Sequence, residues 1–215
     1  MKSLFITFEG TEGCGKSTQI SLLAERLRAL GRHVRTLREP GGTPIGEEIR
    51  HTLKHSQDNH AMTPETELLL MNASRAQLVR EVIRPALATG EIVLCDRFYD
   101  STTAYQGHGR RLDLKMVQEL IDVAVGGTRP ALTLLLVVPQ SVTRERLLAR
   151  QSTMAFVRDR IEEADRSFFE RVARGYQAIA AAEPKRVRTL DASGSVEAVS
   201  AAIWQQVQPL LPVVR

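Results

Sequence analysis

The chain has little of what marks a secreted or membrane-bound protein. Only two cysteines, Cys14 and Cys95, occur in its 215 residues. Two make no disulfide scaffold, and each stands at the end of a run that reads as a core strand, where oxidation would serve nothing. No apolar run approaches the roughly 20 residues of a membrane span, and Met1-Lys2 leads directly into a strand. Neither a membrane segment nor a signal peptide is expected, and a reducing cytoplasm is the expected compartment. Internal repeats, low-complexity segments and basic runs interleaved with aromatics are missing too, so nucleic acid is not an expected partner. The net charge of +4 is mild, and an enzyme that holds several phosphate groups also needs surplus arginine and lysine. Apolar content of 43% and charged content of 25% are those of an ordinary globular protein. The length suits one domain over residues 1–215 with a large core.

What is present starts at the first strand. Ser3-Leu4-Phe5-Ile6-Thr7-Phe8 is β-prone and apolar, and it breaks into Gly10-Thr11-Glu12-Gly13-Cys14-Gly15-Lys16-Ser17. Thr18-Gln19-Ile20 then opens an amphipathic helix. This is G-x-x-x-x-G-K-[ST] between a strand and a helix, the setting in which the motif wraps a phosphate chain. Glycines are needed because the loop turns its backbone N–H groups inward around an anion, which Cβ atoms would obstruct. The helix N-terminus adds unpaired donors and its positive dipole end. Lys16 is expected at the β- and γ-phosphates of a bound nucleoside di- or triphosphate, and the Ser17 hydroxyl on Mg²⁺.

Strands and helices alternate along the rest of the chain. The first helix carries Ile20, Leu23, Leu27 and Leu30 on one face and stops at Gly31. A second strand is expected over 34–37, and Thr43-Pro44 and Thr63-Pro64 read as N-cap and first-turn proline of two helices. The second of these should run to Ala88, kinked or ended by Pro85. The run from Glu91 to Asp96 reads as a buried parallel strand ending in an acid. A polar segment follows over 97–111, then a helix capped by Asp113 and ended by Gly126-Gly127. The most apolar strand spans 131–138, with a short helix at 141–149 and a mobile lid at about 150–160. A helix over 161–182 should bury Phe168, Phe169, Val172 and Tyr176. A last strand at 187–190 precedes a helix capped by Ser195. The expected fold is α/β, a P-loop NTPase fold with a parallel sheet of about five strands, helices on both faces and a small lid.

Ligands of such sheets gather beyond the carboxyl ends of the strands. There the sequence places Glu12, Lys16 and Ser17, then the Glu39–Gly42 loop, then Asp96-Arg97 with Ser101, Thr102, Tyr105 and Gln106. An acid ending a buried strand, Asp96, suits Mg²⁺ ligation, directly or through water, and the arginine beside it suits a phosphate clamp. Arg50, Arg75 and Arg97 fall in acceptor-side segments, while the lid arginines fall on the donor side. A second set of cations favours transfer to a phosphorylated acceptor over hydrolysis. Another P-loop nucleoside or nucleotide kinase remains the alternative. His51 and His55, spaced i, i+4, read as a solvated face, and Met71 in Leu68-Leu69-Leu70-Met71 reads as one more core residue.

Phe8-Glu9-Gly10-Thr11-Glu12-Gly13, Arg38-Glu39-Pro40-Gly41-Gly42-Thr43, Ala73-Ser74-Arg75, Asp96-Arg97-Phe98, the run from Ser101 to Gly107, and Asp159-Arg160-Ile161-Glu162 together resemble the bacterial thymidylate kinases over nearly the whole chain. The resemblance implies Mg-ATP-dependent phosphorylation of dTMP to dTDP by a homodimer. It implies that Glu12 meets the acceptor 3′-hydroxyl and that Arg97 and Arg50 grip the dTMP phosphate. Arg75, Thr102 and Gln106 would bond the thymine edge, Tyr105 would pack where a 2′-hydroxyl would sit, and Pro40 would line the methyl side. The P-loop carries no arginine, so the lid would supply the catalytic cation, Arg158 foremost and Arg150 next. Two departures stand out. Met71 occupies a position where many members stack an aromatic on thymine, and the stretch from Gln151 to Val157 has no cation.

Overall fold

The computed structural model describes residues 3–56, 58–139, 142, 160–161 and 163–211. The helix expected at 141–149, with Arg144 and Arg146, lies outside the described residues apart from Val142. So does the lid expected at about 150–160 apart from Arg160, and with it Arg150 and Arg158.

Five strands, β1 (Leu4–Glu9), β2 (Val34–Arg38), β3 (Ile92–Asp96), β4 (Leu132–Val137) and β5 (Val187–Asp191), form one sheet in the order β2-β3-β1-β4-β5. Every pairing is parallel, so all carboxyl ends lie along one edge. Register across the centre pairs Phe8 with Asp96 and Arg38 with Asp96. That brings the P-loop, the Glu39 loop and the Asp96-Arg97 corner together.

The period of two along β1 assigns the layers. Leu4, Ile6 and Phe8 pack with Ile20, Leu23 and Leu27 of α1 (Lys16–Ala29) and with Val199, Ile203 and Val207 of α8 (Val196–Val207). On the opposite face Phe5 joins residues of α3 (Pro64–Leu78), α4 (Arg84–Ala88) and α6 (Leu114–Val125). A third cluster joins Phe168, Val172 and Tyr176 of α7 (Arg166–Ala182) to Tyr105 and Leu135. Thr7 and Glu9 fall on this second face, wholly buried.

The helix starts follow their caps. Thr43 accepts from the Gly46 N–H at the start of α2 (Pro44–Lys54), and Thr63 from Thr66 at the start of α3. Asp113 and Ser195 do the same for α6 and α8. These satisfy N–H groups that a helix cannot pair internally.

Four expectations shift. Leu30 is not on the buried face of α1; it is the residue after the last helical turn and is 51% exposed, where Gly31 turns the chain away at φ 72°. The long helix does not simply kink at Pro85: its register widens over Val79–Ile83 and resumes as α4. A missing N–H at Pro85 leaves carbonyls unpaired one turn back, and a widened turn absorbs that change. The segment after β3 is wound, as α5 (Tyr99–Thr102) and a wide turn over Thr103–Gly109. The helix expected from 161 begins at Arg166, because the Asp165 carboxylate accepts the Phe168 N–H at 2.7 Å and fixes the start there.

The corrected burial of α1 is checked by a pair of substitutions. Leu27→Ala, at a site with no exposure, should cost about 2–5 kcal/mol in urea unfolding. Leu30→Ala should change stability by no more than about 0.5 kcal/mol.

Candidate active site

The P-loop is shaped by glycines at Gly10, Gly13 and Gly15, with φ of 135°, 73° and 94°. At Gly10 a Cβ would lie 2.3 Å from the Leu136 carbonyl oxygen, so only glycine lets the loop leave the sheet there. Thr11, Glu12 and Gly13 form the partly exposed rim, with Cys14 buried beneath. Lys16 folds back over the loop, its Nζ donating to the Gly10 and Thr11 carbonyls at 3.2 and 3.0 Å. Ser17 and Thr18 are exposed in the first turn of α1. The Ser17 hydroxyl donates to Asp96 Oδ2 at 3.0 Å. Two hard oxygen donors are thus side by side at the end of β3.

Beside the loop is a cavity of about 580 Å³, open mouth included. Its lining contains Glu12, Pro40, Met71, Arg75, Arg97, Thr102, Tyr105 and Gln106. Eight of the acceptor-side residues expected from sequence therefore meet in one place. Met71 is half-buried in this wall. Arg50 is not part of the lining; its Nη1 donates to the Pro40 carbonyl at 3.0 Å. Arg160, grouped with the donor side from its position in the chain, instead turns to Glu67 on α3.

Arg97 holds a left-handed backbone, φ 69°, with its N–H on the Phe8 carbonyl at 2.9 Å. Its guanidinium donates to Ser101 Oγ, Tyr176 Oη and Tyr105 Oη at 3.1, 3.3 and 3.2 Å and lies 3.6 Å from Glu12. Burial works against its charge, but Tyr105, Tyr176, Glu12 and Asp96 outweigh it and hold the group firmly protonated. Among the described residues Arg75 is the largest of the buried side chains, at 2% exposure. Its five N–H groups all meet protein acceptors: Glu39 twice, Phe98, Asn72 and Thr102. Glu39 Oε1, in the same wall, is buried with no hydrogen-bond partner.

Behind Arg97 stands Glu9. It accepts from the Phe98 and Ser101 N–H groups at 2.8 and 3.3 Å, and from the Ser101 and Tyr176 hydroxyls at 2.6 and 2.8 Å. Burial, reinforced by Asp100, pushes its carboxyl up to about 7, against the pull of Arg97, Ser101 and the Phe98 N–H. Sequence reasoning singled out neither Glu9 nor Glu67 as a site residue. The signal was an acid inside an apolar run: Glu9 ends β1, and Glu67 directly precedes Leu68. Glu39, Lys54, Ser101, Ile161 and Phe169 complete the lining.

A P-loop, an acid at a strand end and a second, cation-bearing pocket define a P-loop kinase with a separate acceptor site. The comparisons agree. The thymidylate kinase family model matches residues 8–203. A thymidylate kinase of Geobacter sp. (strain M21) is 52% identical over 90% of this chain and 86% of its own length. One from Synechococcus sp. (strain JA-2-3B'a(2-13)) is 48% identical over 98% and 97%. The crystal structure of thymidylate kinase from Ehrlichia chaffeensis superposes with a TM-score of 0.77 at 31% identity, covering 97% of this chain and 99% of that one. The chain belongs to the thymidylate kinase family, nucleoside monophosphate kinases with ATP as phosphoryl donor.

The Glu9 environment sets a pH dependence. Its folded value lies above the ordinary 4.5, so the stability held by the protonated form is lost as pH rises from about 4.5 through about 7. Glu9→Gln cannot ionise. Its unfolding midpoint should therefore gain on the wild type across that window, and a constant difference would show that Glu9 titrates normally.

Proposed function

We propose that this protein transfers the γ-phosphoryl group of ATP to dTMP, giving dTDP and ADP. The observation that carries the reading is the cavity beside the P-loop, whose wall joins the charged Arg97 and Glu12 to the buried polar Thr102 and Gln106. In this reading residues 1–215 act as one catalytic domain.

The donor is held by backbone N–H groups of the loop from Gly10 to Gly15 and by the start of α1 at Lys16, Ser17 and Thr18. Lys16, now on its own loop's carbonyls, re-aims its ammonium at the β- and γ-phosphates when ATP binds. Ser17, with Asp96 directly or through water, would hold Mg²⁺; the 3.0 Å contact between their oxygens fits a hard cation. That ion supplies neutralisation of phosphate charge. Arg97 grips the acceptor phosphate, its guanidinium aimed by Ser101, Tyr105 and Tyr176, while Glu12 receives the acceptor's 3′-hydroxyl. Arg50 adds its charge from beside Pro40. Tyr105 fills the space a 2′-hydroxyl would need, and Pro40 and Met71 pack on the base. Arg75 holds Thr102 in place. Catalysis then rests on alignment and charge neutralisation, completed by a lid cation, Arg158 or Arg150.

Pairing of two copies and a cytoplasmic location belong to the same reading. Exposed Ile45 and Leu69 on α2 and α3 offer apolar surface for the first. Buried, unbridged Cys14 and Cys95 suit the second. Among the described residues no helix is long and apolar enough to cross a membrane.

A panel of nucleoside monophosphates with Mg-ATP, scored for diphosphate, should show dTMP preferred and its ribose analogue poor. Arg97→Ala should raise the acceptor KM by roughly ten- to a hundredfold, the worth of a charged hydrogen bond, with ATP binding nearly intact. Unchanged acceptor kinetics would refute the phosphate clamp.

A further inference from the structure

Gln106 and Thr102 line the acceptor cavity, but an amide and a hydroxyl can each present either a donor or an acceptor. Which they present is decided by the groups behind them. Gln106 Nε2 donates to Glu67 Oε1 at 2.7 Å. Glu67, wholly buried on α3, also accepts from Arg110 Nε and Nη2 at 3.2 and 3.0 Å and from Arg160 Nη2. Two guanidinium groups keep this carboxylate ionised: despite burial, Arg110, Gln106 and Arg160 hold it below the usual carboxylate range. An ionised carboxylate only accepts, so the neighbouring amide must face it with nitrogen and turn its oxygen the other way. Thr102 is fixed in the opposite sense. Its Oγ1 accepts from Arg75 Nη1 at 2.9 Å, which leaves its own proton to be given.

We propose that Glu67 is a positioning residue for base selection: by fixing the Gln106 amide it makes the cavity present an acceptor beside the Thr102 donor. This rests on the acceptor being a pyrimidine monophosphate. The pair matches an imide edge, in which an N–H adjoins a carbonyl. It mismatches the edge of an aminopyrimidine, in which an unprotonated ring nitrogen adjoins an NH₂ group. Lone-pair repulsion from Gln106 and a donor-to-donor clash at Thr102 would then reject the amino base. Glu67 touches no substrate in this scheme.

Glu67→Gln tests this. A neutral glutamine faced by two guanidinium groups gives them its oxygen and turns its nitrogen towards Gln106, whose amide then inverts and shows NH₂ to the cavity. The probes are dTMP and 5-methyl-2′-deoxycytidine monophosphate, which differ only along the edge in question. With Mg-ATP, the wild type should prefer dTMP strongly in kcat/KM. Glu67→Gln should narrow that ratio at least roughly tenfold, the scale on which a mismatched polar pocket discriminates. In a Gln106→Ala background, Glu67→Gln should leave the ratio where Gln106→Ala has put it.

A merely structural Glu67 would lower both substrates together, and an unchanged ratio in the folded variant overturns the proposal. Should Glu67→Gln not fold, as thermal unfolding would reveal, Glu67→Asp withdraws the carboxylate by one methylene and must narrow the same ratio; failure to do so is equally decisive. A wild type that makes no diphosphate from dTMP would instead overturn the functional reading itself.

Discussion

The site depends on one backbone constraint, the Arg97 N–H on the Phe8 carbonyl at 2.9 Å. It continues the β1–β3 ladder one residue past the register pair Phe8–Asp96, and it does so with a non-glycine residue at φ 69°. A left-handed conformation costs an arginine on the order of 1 kcal/mol. The consequence of that turn is that adjacent side chains diverge. Asp96 meets Ser17 at the donor loop, while Arg97 enters the acceptor cavity. The P-loop contact and the cavity wall are therefore separated by a single peptide unit at the end of a central strand. That placement is more exact than two independent loops would give.

Around this corner the interior is unusually ionic. Glu39 with Arg75, Glu67 with Arg110 and Arg160, and Asp100 with Arg186 are all buried or nearly so. Such pairs add little net stability, because desolvation of both charges offsets their attraction. What they do is remove alternatives. Two of them fix the orientation of a group in the cavity wall: Arg75 aims Thr102 and Glu67 aims Gln106. Glu9, outside these pairs, accepts from the Ser101 and Tyr176 hydroxyls that meet Arg97. Polar residues that can switch roles are held in one role each.

The layout of the sheet and the donor loop were legible in the chain because their signals are local. The P-loop, the Thr43-Pro44 and Thr63-Pro64 helix starts, and the apolar run ending at Asp96 each declare themselves within a few residues. Leu30 was misplaced because periodicity does not say where a helix stops; at the first residue past the last helical turn, the same spacing points to solvent. Arg160 was misassigned because proximity in the chain to the lid says nothing of where a long side chain reaches. The carboxylates behind the cavity were the hardest to find. Glu67 lies 39 residues from Gln106 and 93 from Arg160, and no spacing rule connects positions whose only relation is a shared buried space.

Arg75 shows what this means for reading a site from residue types. An arginine in a ligand cavity suggests direct contact with the ligand, and the family resemblance assigns it the thymine edge. Yet its five N–H groups are met by Glu39, Phe98, Asn72 and Thr102. A base can gain a hydrogen bond from it only by sharing one of those protons in a three-centre arrangement. The guanidinium also lies 5.5 Å from the Phe98 ring centroid, on the residue next to Arg97. Arg75 is thus a strut between α3, the Glu39 loop and α5, and among the residues it holds is Thr102 of the cavity wall. On the proposed reading, the cavity's selectivity resides in few atoms, Gln106 and Thr102 foremost, each with one hydrogen-bonding state taken up by the shell behind it.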